Sequence, residues 1–492
     1  MSAPMTFSFL GETRRVEKGA WTVEASQLWR YNLHYFDDLN GFEAHSRREW
    51  HVEAISNWIH GNPPCSGDGW DPYPTSRRIV NWIKWARSGA LLTQSAVDSL
   101  AIQVRALEGR LEYHLLGNHL FANAKALVFA GIFFEGPEAE RWLQKGLAIL
   151  AKEIPEQVLS DGGQFERSPM YHSLALEDIL DLVNIAAAIP PRIPAQWQPF
   201  VSSWLGLAQR MLRWLHAMCH PDGEIAFFND AAIGVAASPA ELDRYATDLS
   251  GALPEHISTS LRMTTLAASG YVRAQAPDTV LLMDVAPVGP DYLPGHAHAD
   301  TLSFELSLYG QRVIVNGGTS RYGSDPEREA ERGTPAHSTV TVDGENSSEV
   351  WAGFRVARRA RPFDLAVVDE GERARVTCAH DGYCKLRGHP VHRRTWDVKA
   401  GTLLVEDRVE GGFHAAVARF HLHPSVGISI EETGKTGELR LGGGHAVRWR
   451  ALSGRAHIED SHYSPEFGRR VPTRCLAIDL DRDSGSCLEL AW

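Results

Sequence analysis

Cysteine is scarce in this chain: six in 492 residues, Cys65, Cys219, Cys378, Cys384, Cys475 and Cys487, with no C-x-x-C pair. That spacing builds neither a disulfide framework nor a zinc ribbon, so the six read as free thiols. Basic charge is also in short supply. With 49 Lys and Arg against 61 Asp and Glu, the net charge of -12 excludes a general nucleic-acid binder, whose phosphate contacts need a basic surface. No apolar run is long enough to span a bilayer, no tract is of low complexity, and no internal repeat stands out. The start, M-S-A-P-M-T-F-S-F-L-G-E-T-R-R, lacks a basic segment followed by a long apolar stretch and a cleavage site. The chain as given is therefore expected in the cytoplasm, or in the periplasm or outside the cell if its N-terminus has been trimmed. Nothing in the sequence fixes an oligomeric state.

The composition that is present, 43% apolar and 22% charged, is that of a globular protein, and the length implies two or three domains. From about residue 75 to about 265, apolar residues recur at helical spacing, as in R-I-V-N-W-I-K-W-A and N-A-K-A-L-V-F-A-G-I-F-F. Breakers at D-G-G (161), I-P-P-R-I-P (189) and H-P-D-G (220) suit helical hairpins. After about 268 the texture changes to short β-branched runs bounded by Gly, Pro or Asp, such as T-V-L-L-M-D-V and G-T-L-L-V-E-D-R-V, which read as an antiparallel sandwich. The expected organisation is an aromatic-rich extension over 1–50 packing on a helical domain over 51–265, followed by an all-β domain over 266–492.

Polar residues interrupt this pattern in four places. G-H-A-H-A-D-T-L-S-F-E-L, from 295, sets His296, His298 and Asp300 two residues apart before an apolar run. If strand, the three would share one face and could bind a metal or move protons; a hydrogen-bonded sheet edge is an equal reading of that motif alone. Asn118 and His119 precede L-F-A-N-A-K-A-L, and D-G-G-Q-F-E-R-S-P-M-Y-H brings Arg167, Tyr171 and His172 together after a glycine turn. Singly, Asn118 fits a helix cap and Tyr171 a core residue with a satisfied hydroxyl. The fourth is R-G-T-P-A-H-S-T-V-T-V-D-G, which contains His337.

In this order the four motifs resemble the heparinase II/III-like polysaccharide lyases, which are related to some alginate lyases. The resemblance implies an incomplete α/α toroid followed by an antiparallel β-sandwich, with the active site in a cleft between them, and β-elimination on a uronic-acid-containing glycan. In that reaction donors neutralise the uronate carboxylate, a base takes the C5 proton, and an acid protonates the departing glycosidic oxygen. By the resemblance Asn118 is the carboxylate neutraliser, helped by His119 or His296, and Tyr171 is the acid. The same resemblance implies that Tyr171 serves also as base when proton and leaving group share a face of the sugar and a histidine otherwise, the C5 configuration deciding between them. A tyrosine base needs nearby positive charge, which Arg167 would supply if this segment is helical.

The resemblance further implies one divalent metal, zinc or a similar ion, held by His298 and His337. Asn316 stands where an aspartate is expected as third ligand, and Asp300 is its possible substitute or a partner orienting a histidine. Ala122 is a second departure, since related sequences often carry a glutamate there. Arg78, Arg167, Arg328 and Arg332 are candidates to hold substrate carboxylates or sulfates, each equally readable as a structural ion pair. Trp70 and Tyr73 could stack on sugars, but most of the 15 Trp must be core. Metal-dependent amidohydrolases also use an H-x-H pair, but early in a β/α barrel, unlike its place here. The expected partner is an acidic poly- or oligosaccharide, with no nucleic acid and no membrane span. The rival reading is a non-catalytic or weakly active glycan-binding relative in exopolysaccharide metabolism.

Overall fold

Helical apolar spacing folds as helix throughout the first part of the chain in a computed structural model that describes residues 1–17, 19–251 and 261–492. The principal helices are Gln27–Tyr35, Arg48–Gly61, Pro72–Arg87, Gln94–Glu108, Gly117–Phe133, Pro137–Gln157, Pro169–Ala188 and Trp204–Ala217. Local sequence starts several of them. Thr93 accepts from the Ala96 N–H ahead of Gln94–Glu108, and Pro72 occupies the first turn of its helix, where no N–H is missed. Gly117–Phe133 is buried on almost every side, and two glycines permit its contact with Pro137–Gln157. A Cβ on Gly146 would lie 2.7 Å from the Ala124 carbonyl, and one on Gly131 would lie 2.6 Å from Leu143. The N-terminal residues form a short hairpin, Thr6–Phe9 with Glu12–Arg15. Trp21 then stacks on His34 and Phe36, and Phe36 meets Trp58 and Trp82 edge-on.

The chain divides into two compact units that do not follow chain order: Met1–Gln157 with Glu177–Ala208, and Val158–Leu176 with Gln209–Trp492. The span 51–265 read as one helical domain is thus shared between them, and its residues 252–260 lie outside the described ones. The glycine turn at 161 supplies the physical reason. Asp161 accepts from the Ser269 N–H and hydroxyl at 2.8 and 2.9 Å, and Gly162, at φ +96°, lies so close to Arg210 that a Cβ would meet its carbonyl at 2.5 Å. The segment carrying Tyr171 is therefore fastened to the β-rich unit.

That unit is antiparallel throughout its named sheets, as expected. A five-stranded sheet runs Arg262–Leu266, Tyr271–Ala276, Thr279–Asp284, Phe304–Leu308, Gln311–Ile314, each strand beside the next. An eight-stranded and a four-stranded sheet follow in the chain, and Leu306, Val340, Trp396, Val405, Phe420, Trp449 and Leu476 belong to one continuous core. Among the described residues no helix is long and apolar enough to cross a membrane.

Candidate active site

The segment 295–303 is not a strand; regular pairing begins only at Phe304. A turn from Pro294 to Ala297, a bond from the Ala299 N–H to the Arg332 carbonyl, and Leu302 at φ +62° keep the backbone irregular. His296, His298 and Asp300 therefore do not share a face, and each serves a different neighbourhood.

His296 stands over Tyr171. Their rings stack with centroids 3.8 Å apart and planes 18° from parallel, and the Tyr171 hydroxyl lies 2.8 Å from the Tyr322 hydroxyl. Local structure explains Tyr171's placement. Arg167 is held at φ +61°, Ser168 accepts from the Tyr171 N–H at 3.1 Å in the manner of an N-cap, and Pro169 opens the helix. Ser168 in turn donates to the Asp230 carbonyl. Burial, followed by the neighbouring Tyr322 and Asp230, pushes the Tyr171 hydroxyl well above its ordinary value, so it is protonated at neutral pH. His296 Nδ1 is 2.5 Å from a Glu166 carboxylate oxygen, to which it donates, and this leaves the lone pair on Nε2. The His296 carbonyl accepts from the Asp230 N–H, fixing the backbone beneath the ring.

Behind His296 runs a buried chain of polar groups. Arg328 donates to both oxygens of Asp230 at 2.5 and 2.7 Å, Asp230 accepts from His298 Nε2 at 2.7 Å, and His298 Nδ1 lies 3.2 Å from His337 Nε2. Although burial raises it, the Asp230 carboxyl is held well below the usual carboxylate range by Arg328 and His298. Burial pulls His298 down to about 4 and His337 to about 3, so both rings are neutral.

The expected metal set does not fit this arrangement. Asn316 turns its amide to other work, accepting from the Ser338 N–H at 3.1 Å and donating to Ser303. Asp300 accepts from the Asn229 N–H, and the carboxylate that orients His298 is Asp230. The facing nitrogens of His298 and His337 are close enough to share one proton, and the carboxylate beyond the His298 ring, Asp230, has its charge matched by Arg328; His337 Nδ1 is buried with no hydrogen-bond partner among the described residues. Among the described residues no three His, Cys, Asp or Glu side chains gather as a metal site.

The four arginines are placed as structural cations. Arg78 is wholly buried, donating to Gln103, the His34 carbonyl and Thr75, with its guanidinium 3.8 Å from the Trp58 ring. Arg328 is committed to Asp230, and Arg332 to the Ala297 and Trp351 carbonyls. Arg167 precedes the helix and points at the Ser269 and Phe165 carbonyls, so it does not supply the charge that would lower Tyr171. His172 is also structural, accepting from the Gln164 N–H and donating to the Met211 carbonyl.

In the helical unit, Asn118 and His119 open the helix Gly117–Phe133 and are half-buried. His119 Nδ1 lies 3.0 Å from a Glu112 oxygen, and its ring centroid is 4.7 Å from Tyr73. Glu112 is in turn fixed by Asn123, whose amide donates to it and to Ser76. The Asn118 amide has no hydrogen-bond partner among the described residues. Sequence reasoning missed Glu166, Asp230 and Tyr322. Glu166 lies inside the motif that carries Tyr171, but Asp230 and Tyr322 carry no local signal.

Profiles of known families match nearly the whole chain: Heparinase II/III N-terminus over residues 41–249, and Heparinase II/III-like, C-terminal, over residues 259–489. A heparin-sulfate lyase of Bacteroides stercoris is 30% identical over 256 residues, 48% of this chain and 37% of that protein. One of Pedobacter heparinus is 28% identical over 358 residues, 66% of this chain and 52% of that protein. The chain thus spans about half or less of the length of these relatives. Among solved structures, Heparinase III superposes with a TM-score of 0.76 at 18% identity, covering 96% of this chain and 78% of the other. That likeness carries the fold class, an incomplete α/α toroid followed by an antiparallel β-sandwich.

Proposed function

This chain belongs to the heparinase II/III-like family, and from that premise we propose that it is a polysaccharide lyase, cleaving an acidic, uronate-containing glycan by β-elimination. The observation that carries the reading is the stack of His296 on Tyr171, with Glu166 behind one ring and Tyr322 against the hydroxyl of the other. His296 Nε2 takes the C5 proton, the C5–H electrons form the C4=C5 double bond, and the C4–O bond breaks. Tyr171, protonated at rest, delivers its proton to the departing glycosidic oxygen while accepting a hydrogen bond from Tyr322. A Tyr171 protonated at rest suits the acid's part, and His296, its Nδ1 engaged by Glu166 and its Nε2 open, suits the base's. Asn118 and His119 take the role the family resemblance gives them, neutralising the uronate carboxylate so that the enolate can form. No step passes through a metal.

The relatives are named heparin-sulfate lyases, so the first substrates to offer are heparin and heparan sulfate, with alginate as a uronate polymer lacking sulfate. The test is to incubate the protein with each and follow the ultraviolet absorbance of the new double bond. Unsaturated ends absent from the Tyr171→Phe reaction support the lyase. Binding to these polymers with no unsaturated product from any uronate polysaccharide would instead support the glycan-binding alternative.

A further inference from the structure

In a chain whose net charge is -12, residues 350–361, V-W-A-G-F-R-V-A-R-R-A-R, hold four arginines and no acid. The stretch opens as a hairpin, Val350–Trp351 paired with Arg355–Val356, in which Arg355 lies directly opposite Trp351. Directly opposed residues of an antiparallel pair present their side chains on the same face. Trp351 is 54% exposed, and Arg355 is exposed with no ion-pair or hydrogen-bond partner among the described residues. Arg359, by contrast, is already paired with Asp291.

The hairpin is fixed and stands beside the candidate site. Arg328 donates to the Gly353 carbonyl, Arg332 to the Trp351 carbonyl, and the Ala352 N–H to Glu329. At the hairpin tip, Gly353 has φ +70° and packs so closely on Gly323 that a Cβ would lie 2.1 Å from its carbonyl. Phe354, between Gly353 and Arg355, places its ring 6.0 Å from His296 and 5.1 Å from Tyr322. Arg328 and Arg332, candidates from sequence to clamp substrate, are therefore the anchors of a surface that carries a different, unpaired arginine.

We propose that Trp351 and Arg355 form a saccharide subsite next to the reacting residue, binding an acidic sugar through ring stacking on the indole and a carboxylate or sulfate on the guanidinium. The C–H face of a pyranose suits an exposed aromatic ring, and the planar guanidinium suits a two-oxygen anion. This subsite rests on the lyase reading only for the identity of its neighbour. Its ligand chemistry follows from the two side chains.

The test uses the full chain and its Trp351→Ala and Arg355→Gln variants, with immobilised heparin, alginate and neutral dextran as binding probes and the turned-over polysaccharide for kinetics. Both variants should elute from heparin or alginate at lower salt than wild type. Their KM should rise about fivefold to tenfold with kcat within about twofold, the mark of lost binding rather than lost chemistry. Arg355→Lys should restore part of the retention. A loss confined to heparin assigns the anion as sulfate, and a loss on both matrices assigns it as carboxylate. Elution and KM unchanged in both variants, or equal retention on dextran, would overturn the subsite. If no polysaccharide is cleaved while both variants still elute early, the lyase reading falls and the subsite stands.

Discussion

Tyr171→Phe and Tyr322→Phe each remove one end of the same hydrogen bond, so they separate a structural from a chemical role. The two hydroxyls are 2.8 Å apart, Tyr171 being buried and Tyr322 half-buried, so the two changes should cost stability of the same order. Leaving one buried hydroxyl without its partner costs about 1–3 kcal/mol, and the stacked contact with His296 survives because the Tyr171 ring is retained. The catalytic costs should differ widely. If Tyr171 protonates the leaving oxygen, its loss lowers kcat by about 100- to 10,000-fold with KM little changed. Losing the Tyr322 hydroxyl removes only a donor to Tyr171, worth about tenfold. The measurements are urea denaturation for stability and initial rates of double-bond absorbance for turnover. The reasoning is refuted if Tyr322→Phe is the more damaging, for then Tyr322 is the acid, or if both stay within a few-fold of wild type.

Glu166→Gln should lower kcat about 10- to 100-fold while Glu166→Ala lowers it further, because the charge-assisted bond that orients His296 is weakened in one and absent in the other; equal activity in all three proteins removes Glu166 from the mechanism. Asp230→Ala leaves the wholly buried Arg328 without its anion and should cost about 3–5 kcal/mol in urea denaturation, a loss under 1 kcal/mol showing that the pair is solvated. Elemental analysis of protein purified without added metal should find substoichiometric zinc, calcium and manganese, and dialysis against a chelator should leave activity intact; stoichiometric metal lost in His337→Ala would reverse the reading of that set. His172, pulled down to about 3 by burial against an unfolded value near 6.5, is neutral when folded, so unfolding takes up a proton between those limits. Its contribution is fully present above pH 6.5 and is lost as pH falls toward 3. His172→Gln should therefore show a stability slope between pH 5 and 6 shallower by up to about 1.4 kcal/mol per pH unit, and an identical slope would place the ring in solvent contact.

The fold was legible because its signals are local. Helical apolar spacing and β-branched runs between breakers each reflect a few neighbouring residues, and the structure follows both. The site was legible only where a motif contains its own geometry. His296 and Tyr171 were expected and meet, but Glu166 was passed over inside the quoted motif D-G-G-Q-F-E-R-S-P-M-Y-H. Its role depends on a contact with a residue 130 positions away. The H-x-H-x-D spacing misled for a related reason. Two-residue spacing places side chains on one face only if the backbone is extended, and here the backbone turns before the strand begins.

Residue type also failed to separate two uses of arginine. An enzyme for acidic glycans needs guanidinium groups at its surface, yet a large fold also buries them as cross-links, and the sequence names both alike. Burial distinguishes them: Arg78, Arg328 and Arg332 are wholly enclosed, whereas Arg355, in a stretch without acids, is open. The same comparison bears on the histidines. In the sandwich, far along the chain from the expected metal ligands, Arg394 grips both oxygens of Asp407 at 2.7 and 2.9 Å. Asp407 accepts from His392 at 2.8 Å, and His392 lies 3.1 Å from His380. This repeats the order Arg328, Asp230, His298, His337 with different residues. The repetition fits a device for burying polar groups in pairs: the arginine balances the aspartate, the aspartate fixes one imidazole tautomer, and that imidazole offers its bare nitrogen to the next N–H. The sandwich set closes on itself, His380 Nδ1 accepting from the Gly382 N–H, whereas His337 Nδ1 is buried with no hydrogen-bond partner among the described residues. Since the closed set needs no ion, paired histidines in a motif are not by themselves a sign of metal.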